Sequence, residues 1–349
     1  MKTVLYFGNI DVQLSRNKIY VDGLRQNGVE VLLCVDRSKG IKKYWNLYKK
    51  HKKFKGMYDV LIVGYGGYVT VPLAKMLSDK PVIFDALCSF YETEILSRDA
   101  LKEIPFRILY VRSVDWVATH FADKVLVETD KQKEYFSKEL QVKSEKLVTV
   151  YTGVDDSIFK YDESVEKYEK FTVLFRGRIM SEAGVPTIVK AAKLLENEDI
   201  DFLIIGYGCN EAMREFENTL KEEKPRNIKY VGKQLPFDEL VTLMQKCHVS
   251  LGQFANHERL ERTVPHKAYE SLAMKLTYVT ARTGGVQEIL EEGVHCLMVN
   301  PEDKGDLADK IMQLYKDSRL RRDLSETGYV LYEENFSPKE VVKSICKNI

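Results

Sequence analysis

Residues 259–280 read RLERTVPHKAYESLAMKLTYVT, and this stretch decides the fold. Pro265 suits the first position of a helix, and the apolar run 276–280 is rich in β-branched and aromatic residues. A helix that leads into a short apolar strand is typical of an α/β protein with a parallel sheet. The same alternation continues in both directions from this stretch.

Twelve short apolar runs alternate with helical patterns along the chain. In the first half we predict strands over residues 4–7, 29–34, 60–63, 82–84, 124–127 and 147–150. In the second half we predict strands over residues 171–175, 201–205, 228–231, 249–251, 276–280 and 296–299. Two series of six predict an α/β fold of two Rossmann-like, doubly wound domains facing a cleft, with ligands at the carboxyl ends of the strands.

The alternation lapses in the polar segment 155–170, directly after the turn sequence Thr152-Gly153-Val154-Asp155. We therefore expect an N-terminal domain over residues 1–154 and a C-terminal domain over residues 155–336. After residue 302 the pattern is wholly helical, and a last helical run begins at Pro338.

Composition limits the class of protein. The 349 residues, 44% of them hydrophobic, suffice for about two domains, and a net charge of +1 gives no overall reason to expect nucleic acid. The six cysteines contain no C-x-x-C pair, and no histidine has metal-ligand spacing, so we expect neither a disulfide framework nor a zinc site. The chain shows no signal peptide and no long apolar segment, so we expect a cytoplasmic protein.

Lys267 and Glu270 lie three residues apart near the start of the helix that follows Pro265. A lysine and the amides of a helix start suit a diphosphate, and a carboxylate can accept hydrogen bonds from both hydroxyls of a ribose. An ordinary surface ion pair between the two residues is the alternative.

Glycines and arginines follow other strands of the second half. Gly284 and Gly285 open a helix and allow backbone amides to approach a phosphate, whereas Gly206 is as consistent with a tight turn. Arg176 and Arg178 follow the strand 171–175 and could grip phosphate oxygens, or simply pair with a neighbouring acid.

In the first half, Gly8 and Asp85 each follow a predicted strand. Gly8 lies in a β-to-α turn that would line the same cleft. Asp85 could orient a substrate hydroxyl or stabilise positive charge, although an aspartate in such a place more often caps a helix.

Residues 39–55 form a basic segment with eight lysines and no acid, interleaved with aromatic side chains. An amphipathic helix of this kind could lie on an anionic membrane surface, which would make the protein peripheral at the inner face of the membrane. Solvated charge is the alternative. No recognised nucleic-acid-binding module accompanies the segment.

The string Val264-Pro-His-Lys-Ala-Tyr-Glu270, followed by Thr283-Gly-Gly285, resembles the donor-site signature of family-4 retaining glycosyltransferases of GT-B fold, in the P-x-K-x-x-E subgroup. Arg176-Gly-Arg178 resembles the phosphate-binding element of that family. Residues 152–155 resemble its interdomain turn, and residues 121–129 resemble its last N-domain strand. The order of these motifs along nearly the whole chain is specific to the family.

The resemblance implies a retaining hexosyltransferase that uses a nucleoside diphosphate sugar and needs no metal or other cofactor. Glu270 would bind the ribose, and Arg178, Lys267 and the amides of Gly284 and Gly285 would bind the diphosphate. The N-terminal domain would bind a saccharide or lipid-linked acceptor. Residues 337–349 would cross back as a helix to that domain.

Three positions depart from the family pattern. The first of the two glutamates of its longer motif would fall at Arg262, one residue after Glu261. The expected phosphate-binding lysine is Ala183, and a frequent N-domain histidine is replaced by Asp85. These changes leave two alternatives open: a non-catalytic glycosyltransferase-like subunit, and a nucleotide-sugar epimerase of the same architecture.

Overall fold

A computed structural model describes residues 2–97, 104–208 and 211–348. The chain divides into two compact units, residues 1–155 with 335–349 and residues 156–334. Cys209 lies outside the described residues, and the other five cysteines are free thiols. Within the described residues, every helix is too short or too polar to cross a lipid bilayer.

The first unit contains a six-stranded parallel sheet in the order β2-β1-β3-β4-β5-β6. Its strands are β1 (Thr3–Gly8), β2 (Glu30–Val35), β3 (Val60–Val63), β4 (Val82–Leu87), β5 (Lys124–Val127) and β6 (Leu147–Thr149). Its helices are α1 (Ser15–Gln26), α2 (Lys42–His51), α3 (Val71–Leu77), α4 (Pro105–Phe121) and α5 (Asp130–Glu139).

The second unit contains another six-stranded parallel sheet, in the order β12-β11-β10-β7-β8-β9. Its strands are β7 (Phe171–Arg178), β8 (Ile200–Tyr207), β9 (Ile228–Val231), β10 (Val249–Leu251), β11 (Thr277–Ala281) and β12 (Leu297–Val299). Its helices are α6 (Val185–Leu194), α7 (Glu211–Glu223), α8 (Phe237–Lys246), α9 (His266–Ala273), α10 (Gly284–Gln287) and α11 (Lys304–Lys316).

Three helices follow α11 along the chain. Helix α12 (Ser318–Asn335) ends where the chain passes to the first unit. Helices α13 (Pro338–Val341) and α14 (Lys343–Asn348) belong to that unit. Their buried residues Val341, Val342 and Ile345 share a hydrophobic core with Ile19 and Leu24 of α1.

The predicted α/β architecture is confirmed, with all twelve strands at the predicted places. The main difference is that β7 continues to Arg178, three residues beyond the predicted strand end. Its pairing with β8 persists because Gly177 lies opposite Gly206, so neither strand has a side chain at that register. Arg176 and Arg178 therefore both belong to β7.

Helix α13 approaches α1 closely at Gly23. A Cβ atom placed on Gly23 would lie 2.0 Å from the backbone oxygen of Pro338, and the nearby Asn27 side chain donates to the Lys339 carbonyl at 2.8 Å. The contact is between two backbones, so side-chain rotation does not relieve a clash there. Only a residue without a Cβ atom fits this crossing.

We predict that Gly23→Ala lowers the free energy of unfolding by about 1–3 kcal/mol, because the new methyl group forces the two helices apart. Urea denaturation measures the change. Gly305→Ala is the matched control, since a Cβ atom there comes no closer than 3.4 Å to the nearest atom, an Asp303 oxygen. Equal stability of the Gly23 variant and the wild type would show that α13 does not depend on this contact.

Candidate functional site

The candidate site of the second unit is built at the carboxyl end of β7. Gly177 has a positive φ of 116°, which places Arg176 and Arg178 on either side of a glycine that other residues replace only with strain. The Arg178 side chain is exposed, whereas Arg176 is largely buried. The two arginines thus have different surroundings, and only Arg178 offers its guanidinium to solvent.

Helix α9 brings Lys267 and Glu270 to the same strand end. The Glu270 carboxylate forms an ion pair with the Arg176 guanidinium, and both side chains are about nine-tenths buried. The Lys267 ammonium lies 5.0 Å from the centre of the Phe175 ring, beside Gly177. Glu270 therefore pairs across to β7, and the alternative of a surface pair between Lys267 and Glu270 does not describe the site.

Positive charge is crowded in this cluster. Burial and then the neighbouring Arg176 lower the pKa of Lys267 to about 8, and burial lowers the pKa of Arg176 to about 10. A second ion pair, between Arg259 and Glu182 at 3.0 Å, lies nearby, since the Glu182 carboxylate acts on Lys267 as well. A buried lysine whose pKa is lowered by burial and by a neighbouring guanidinium favours the binding of an anion, which would stabilise its charged form.

Gly284 and Gly285 form the start of α10. The Gly284 amide donates to the Glu261 carboxylate at 3.0 Å, and a Cβ atom on Gly285 would lie 2.2 Å from the Thr263 carbonyl oxygen. Arg262 pairs instead with Glu258 at 3.0 Å. Glu261, one residue from the position that the family pattern predicts, is thus the carboxylate that reaches the helix start.

Buried polar atoms without hydrogen-bond partners lie at the carboxyl ends of three neighbouring strands. Among the described residues, Arg176 Nε at β7, Gln253 Oε1 after β10 and Thr283 Oγ1 after β11 are buried and unbonded. These strands are adjacent in the order β11-β10-β7. Because unsatisfied buried polar atoms are costly, the cluster is suited to a polar ligand that supplies the missing bonds.

A cavity of about 370 Å³ opens after β7, at the start of α6. Its lining includes Ser181, Gly184 and Lys190, whereas Ala183, which replaces the expected lysine, is fully buried. Lys190 is therefore the lysine that this cavity presents. A larger cavity of about 710 Å³ lies at the opposite, amino ends of β7 and β8, away from Arg176 and Lys267.

Gly206 is the second-last residue of β8 and lies opposite Gly177. A Cβ atom there would lie 2.7 Å from the Ile179 side chain, and the Gly206 carbonyl accepts a hydrogen bond from Tyr230 Oη at 3.1 Å. Gly206 therefore lies within the strand and contributes to the packing of its end.

The other two predicted site residues belong to the first unit. Gly8 ends β1 with a φ of 143°, and its carbonyl accepts from the Asp36 amide at 3.1 Å. Asp85 is fully buried in β4, and both carboxylate oxygens accept from Arg16 Nε, at 2.9 and 3.1 Å. Asp85 is therefore buried and paired with Arg16, and its catalytic role stays a prediction.

Sequence reasoning did not find the pairing of Arg16 with Asp85, because the two residues are 69 positions apart. Nor did it find Glu261 as the partner of Gly284. In the described parts of the chain, no three histidine, cysteine or acidic side chains are grouped so that they could hold a metal ion.

Residues 157–330 match the family described as Glycosyl transferases group 1. An uncharacterized glycosyltransferase of Methanocaldococcus jannaschii is 26% identical over 230 residues, which cover 66% of this chain and 60% of that protein. The matched region therefore leaves two fifths of the relative's length unaligned.

Two solved structures share the fold of the whole chain. Anabaena HepE in complex with UDP superposes with a TM-score of 0.73 at 14% identity, covering 100% of this chain and 99% of HepE. Sucrose-phosphate synthase from Thermosynechococcus elongatus superposes with a TM-score of 0.74 at 14% identity, covering 100% and 98% of the two chains. Both comparisons establish the GT-B arrangement of two six-stranded parallel sheets.

We predict that Asp85→Leu lowers the free energy of unfolding by about 3–5 kcal/mol, because it leaves the Arg16 guanidinium buried without its carboxylate. The double variant Arg16→Met with Asp85→Leu should recover part of that loss. Urea denaturation of the two variants and the wild type measures both effects. Full stability of Asp85→Leu together with lost turnover would instead assign Asp85 to catalysis.

Proposed function

We propose that this protein, whose residues 157–330 match the glycosyl transferases group 1 family, transfers a hexose-type sugar from a nucleoside diphosphate to an acceptor hydroxyl with retention of configuration. The observation that carries this proposal is the convergence of Arg176, Lys267 and Glu270 at the end of β7. The acceptor we propose is a saccharide or a lipid-linked glycan, bound by the first unit.

Glu270 is the proposed ribose ligand. Its carboxylate is held by Arg176, and a carboxylate fixed in this way can accept hydrogen bonds from the two ribose hydroxyls without losing side-chain freedom on binding. Arg176 acts in this proposal as a positioning residue for Glu270, rather than as a direct phosphate ligand.

Lys267 and Arg178 are the proposed ligands of the diphosphate. When the bond between the sugar C1 and the diphosphate oxygen breaks, both electrons remain on that oxygen, and two nearby cations stabilise the charge. The acceptor oxygen then bonds to C1 on the same face, and the acceptor hydroxyl gives its proton to the departing diphosphate oxygen. Cations already in place at this strand end supply the stabilisation without rearrangement.

The Gly284 amide would join the diphosphate site only after Glu261 moves, because the Glu261 carboxylate already accepts its hydrogen bond. We propose that a bound donor displaces this carboxylate, which then lies free near the sugar. HepE has been crystallised with UDP and with UDP-glucose, which supports a nucleoside diphosphate sugar as the donor class here.

A non-catalytic binding subunit is the second candidate, because Ala183 stands where the family pattern has a lysine and is fully buried. Such a protein would bind a donor but turn over none. Measuring donor binding and turnover on the same preparation separates the two candidates.

We predict that a panel of nucleoside diphosphate sugars contains at least one that raises the unfolding temperature, since a ligand of the folded state alone stabilises it. Lys267→Met should weaken binding of that donor by about 10- to 100-fold, as expected for a lost charge-assisted hydrogen bond. Glu270→Gln should weaken it as well. Calorimetric titration measures both variants.

Lys221→Met is the matched control, since Lys221 is exposed on α7 and should leave donor binding unchanged. Donor binding that survives both site variants at wild-type affinity would contradict the proposed donor site. Donor binding without release of nucleoside diphosphate, in the presence of saccharide and lipid-linked acceptors, would favour the non-catalytic candidate.

We predict that affinity for the nucleoside diphosphate falls as the pH rises from 7 to 9.5. The protonated ammonium binds phosphate, and the lowered pKa of Lys267, about 8, means that this charge is lost within that interval. Lys267→Arg should flatten the profile, because a guanidinium keeps its proton throughout. Titration of UDP at a series of pH values tests this, and an equal decline in the arginine variant would exclude Lys267 as its cause.

A further inference from the structure

Helices α2, α3 and α4 cover the same face of the sheet in the first unit. Their inward side chains, including Leu47, Ala74 and Ala118, belong to one hydrophobic core. Helix α3 packs against both α2 and α4. Tyr44 of α2 and Tyr110 of α4 lie close enough for their phenol groups to interact, which adds to burial in raising the pKa of Tyr44. Helices α2 and α4 thus lie on the same side of the sheet with α3 between them, and we call their outer surfaces together the α2–α4 face.

Helix α4 exposes a row of large apolar side chains at helical spacing. Phe106 is 87% exposed, Leu109 is 66% exposed, and Tyr110 and Trp116 are 55% and 50% exposed. Side chains three and four residues apart lie on one side of a helix, so these form a stripe and not a scatter. An exposed stripe of four large apolar side chains is typical of an interaction surface.

Helix α4 itself carries no exposed acid. The one acidic residue of Pro105–Phe121 is Asp115, which is 1% exposed, and its carboxylate accepts from the Phe90 and Tyr91 amides at 2.6 and 2.9 Å. Arg112, by contrast, is exposed on the same helix. The stripe is therefore apolar and cationic.

Helix α2 supplies more positive charge beside the stripe. Lys49 and Lys52 lie over the rings of Trp45 and Tyr48, at 5.0 and 4.6 Å from the ring centres. Trp45 itself is 58% exposed. Aromatic rings with lysine side chains folded over them are the arrangement that suits the boundary between lipid headgroups and acyl chains.

We propose that the α2–α4 face docks the protein on an anionic lipid bilayer, with the α4 stripe inserted at the headgroup level and the α2 lysines on the phosphates. We favour a lipid bilayer as the partner because this face combines cations, which bind phosphate headgroups, with exposed apolar side chains, which can insert between lipids. A second copy of this face would bring cations opposite cations. The inference concerns a surface outside the proposed donor site and does not rest on glycosyl transfer.

Sedimentation with vesicles tests the proposal on the full chain. The wild type should bind vesicles of phosphatidylcholine with one-third phosphatidylglycerol and should not bind pure phosphatidylcholine. Changing Lys42, Lys49, Lys52 and Lys53 together to glutamine should weaken binding by at least about 100-fold, since each lysine near an anionic surface contributes about fivefold. Lys50 is left unchanged because it pairs with Asp36.

Phe106→Ser with Leu109→Ser tests the inserted stripe and should weaken vesicle binding by at least about tenfold at unchanged charge. Two controls match these variants in the second unit: glutamine at the exposed Lys221, Lys229, Lys233 and Lys304, and serine at the exposed Leu194 and Phe237. Both controls should bind as the wild type does. Circular dichroism and unfolding temperature verify that every variant is folded.

Three results would overturn the proposal. The wild type could fail to bind anionic vesicles, or the controls could lose as much binding as the α2 and α4 variants. Alternatively, single-stranded RNA could be bound more tightly than the vesicles at the same salt concentration, with the α4 variant unaffected. That last result would assign the lysines to nucleic acid.

Discussion

The ion pair between Arg176 and Glu270 is the interaction on which the candidate site depends. Each charge is nearly removed from water, which is costly unless the partner is present. The pair ties α9 to the end of β7, and through α9 it fixes Lys267 beside Gly177. One buried contact thereby orients a carboxylate and a lysine toward the same strand edge.

The parallel sheet explains why this edge collects polar groups. Strands joined by right-handed crossovers all end on one side, and the loops that follow them meet there. In the second unit, Arg176 Nε, Gln253 Oε1 and Thr283 Oγ1 lie at the ends of adjacent strands and lack hydrogen-bond partners. Arg176 and Thr283 are more than 100 residues apart in the sequence. In the first unit the same construction buries Arg16 against Asp85, and the two charges satisfy each other.

Much of the fold was predictable from the sequence, because buried parallel strands are short apolar runs between helical patterns. The strands from Val60 to Val63 and from Ile228 to Val231 were predicted to the residue. The end of β7 was not predicted, because the charged sequence Arg176-Gly177-Arg178 interrupts the apolar run. Only the structure shows that Gly177 pairs with Gly206 and that the strand continues. Asp85 and Glu261 show the same limit: each carboxylate was noted in the sequence, but its partner was not.

The sequence by itself thus determined the features that depend on neighbouring residues. These are the alternation of strands and helices, the start of α9 beside Pro265, the basic character of α2 and the motif order that resembles the glycosyltransferase family. The tertiary structure decided which charges meet, because burial and pairing depend on residues far apart along the chain. It alone showed that Glu270 faces Arg176 rather than Lys267, that Asp115 is hidden behind an otherwise acid-free helix, and that α2 and α4 lie on the same side of the sheet. Coulomb energy and desolvation act through space, so linear spacing carries little information about them.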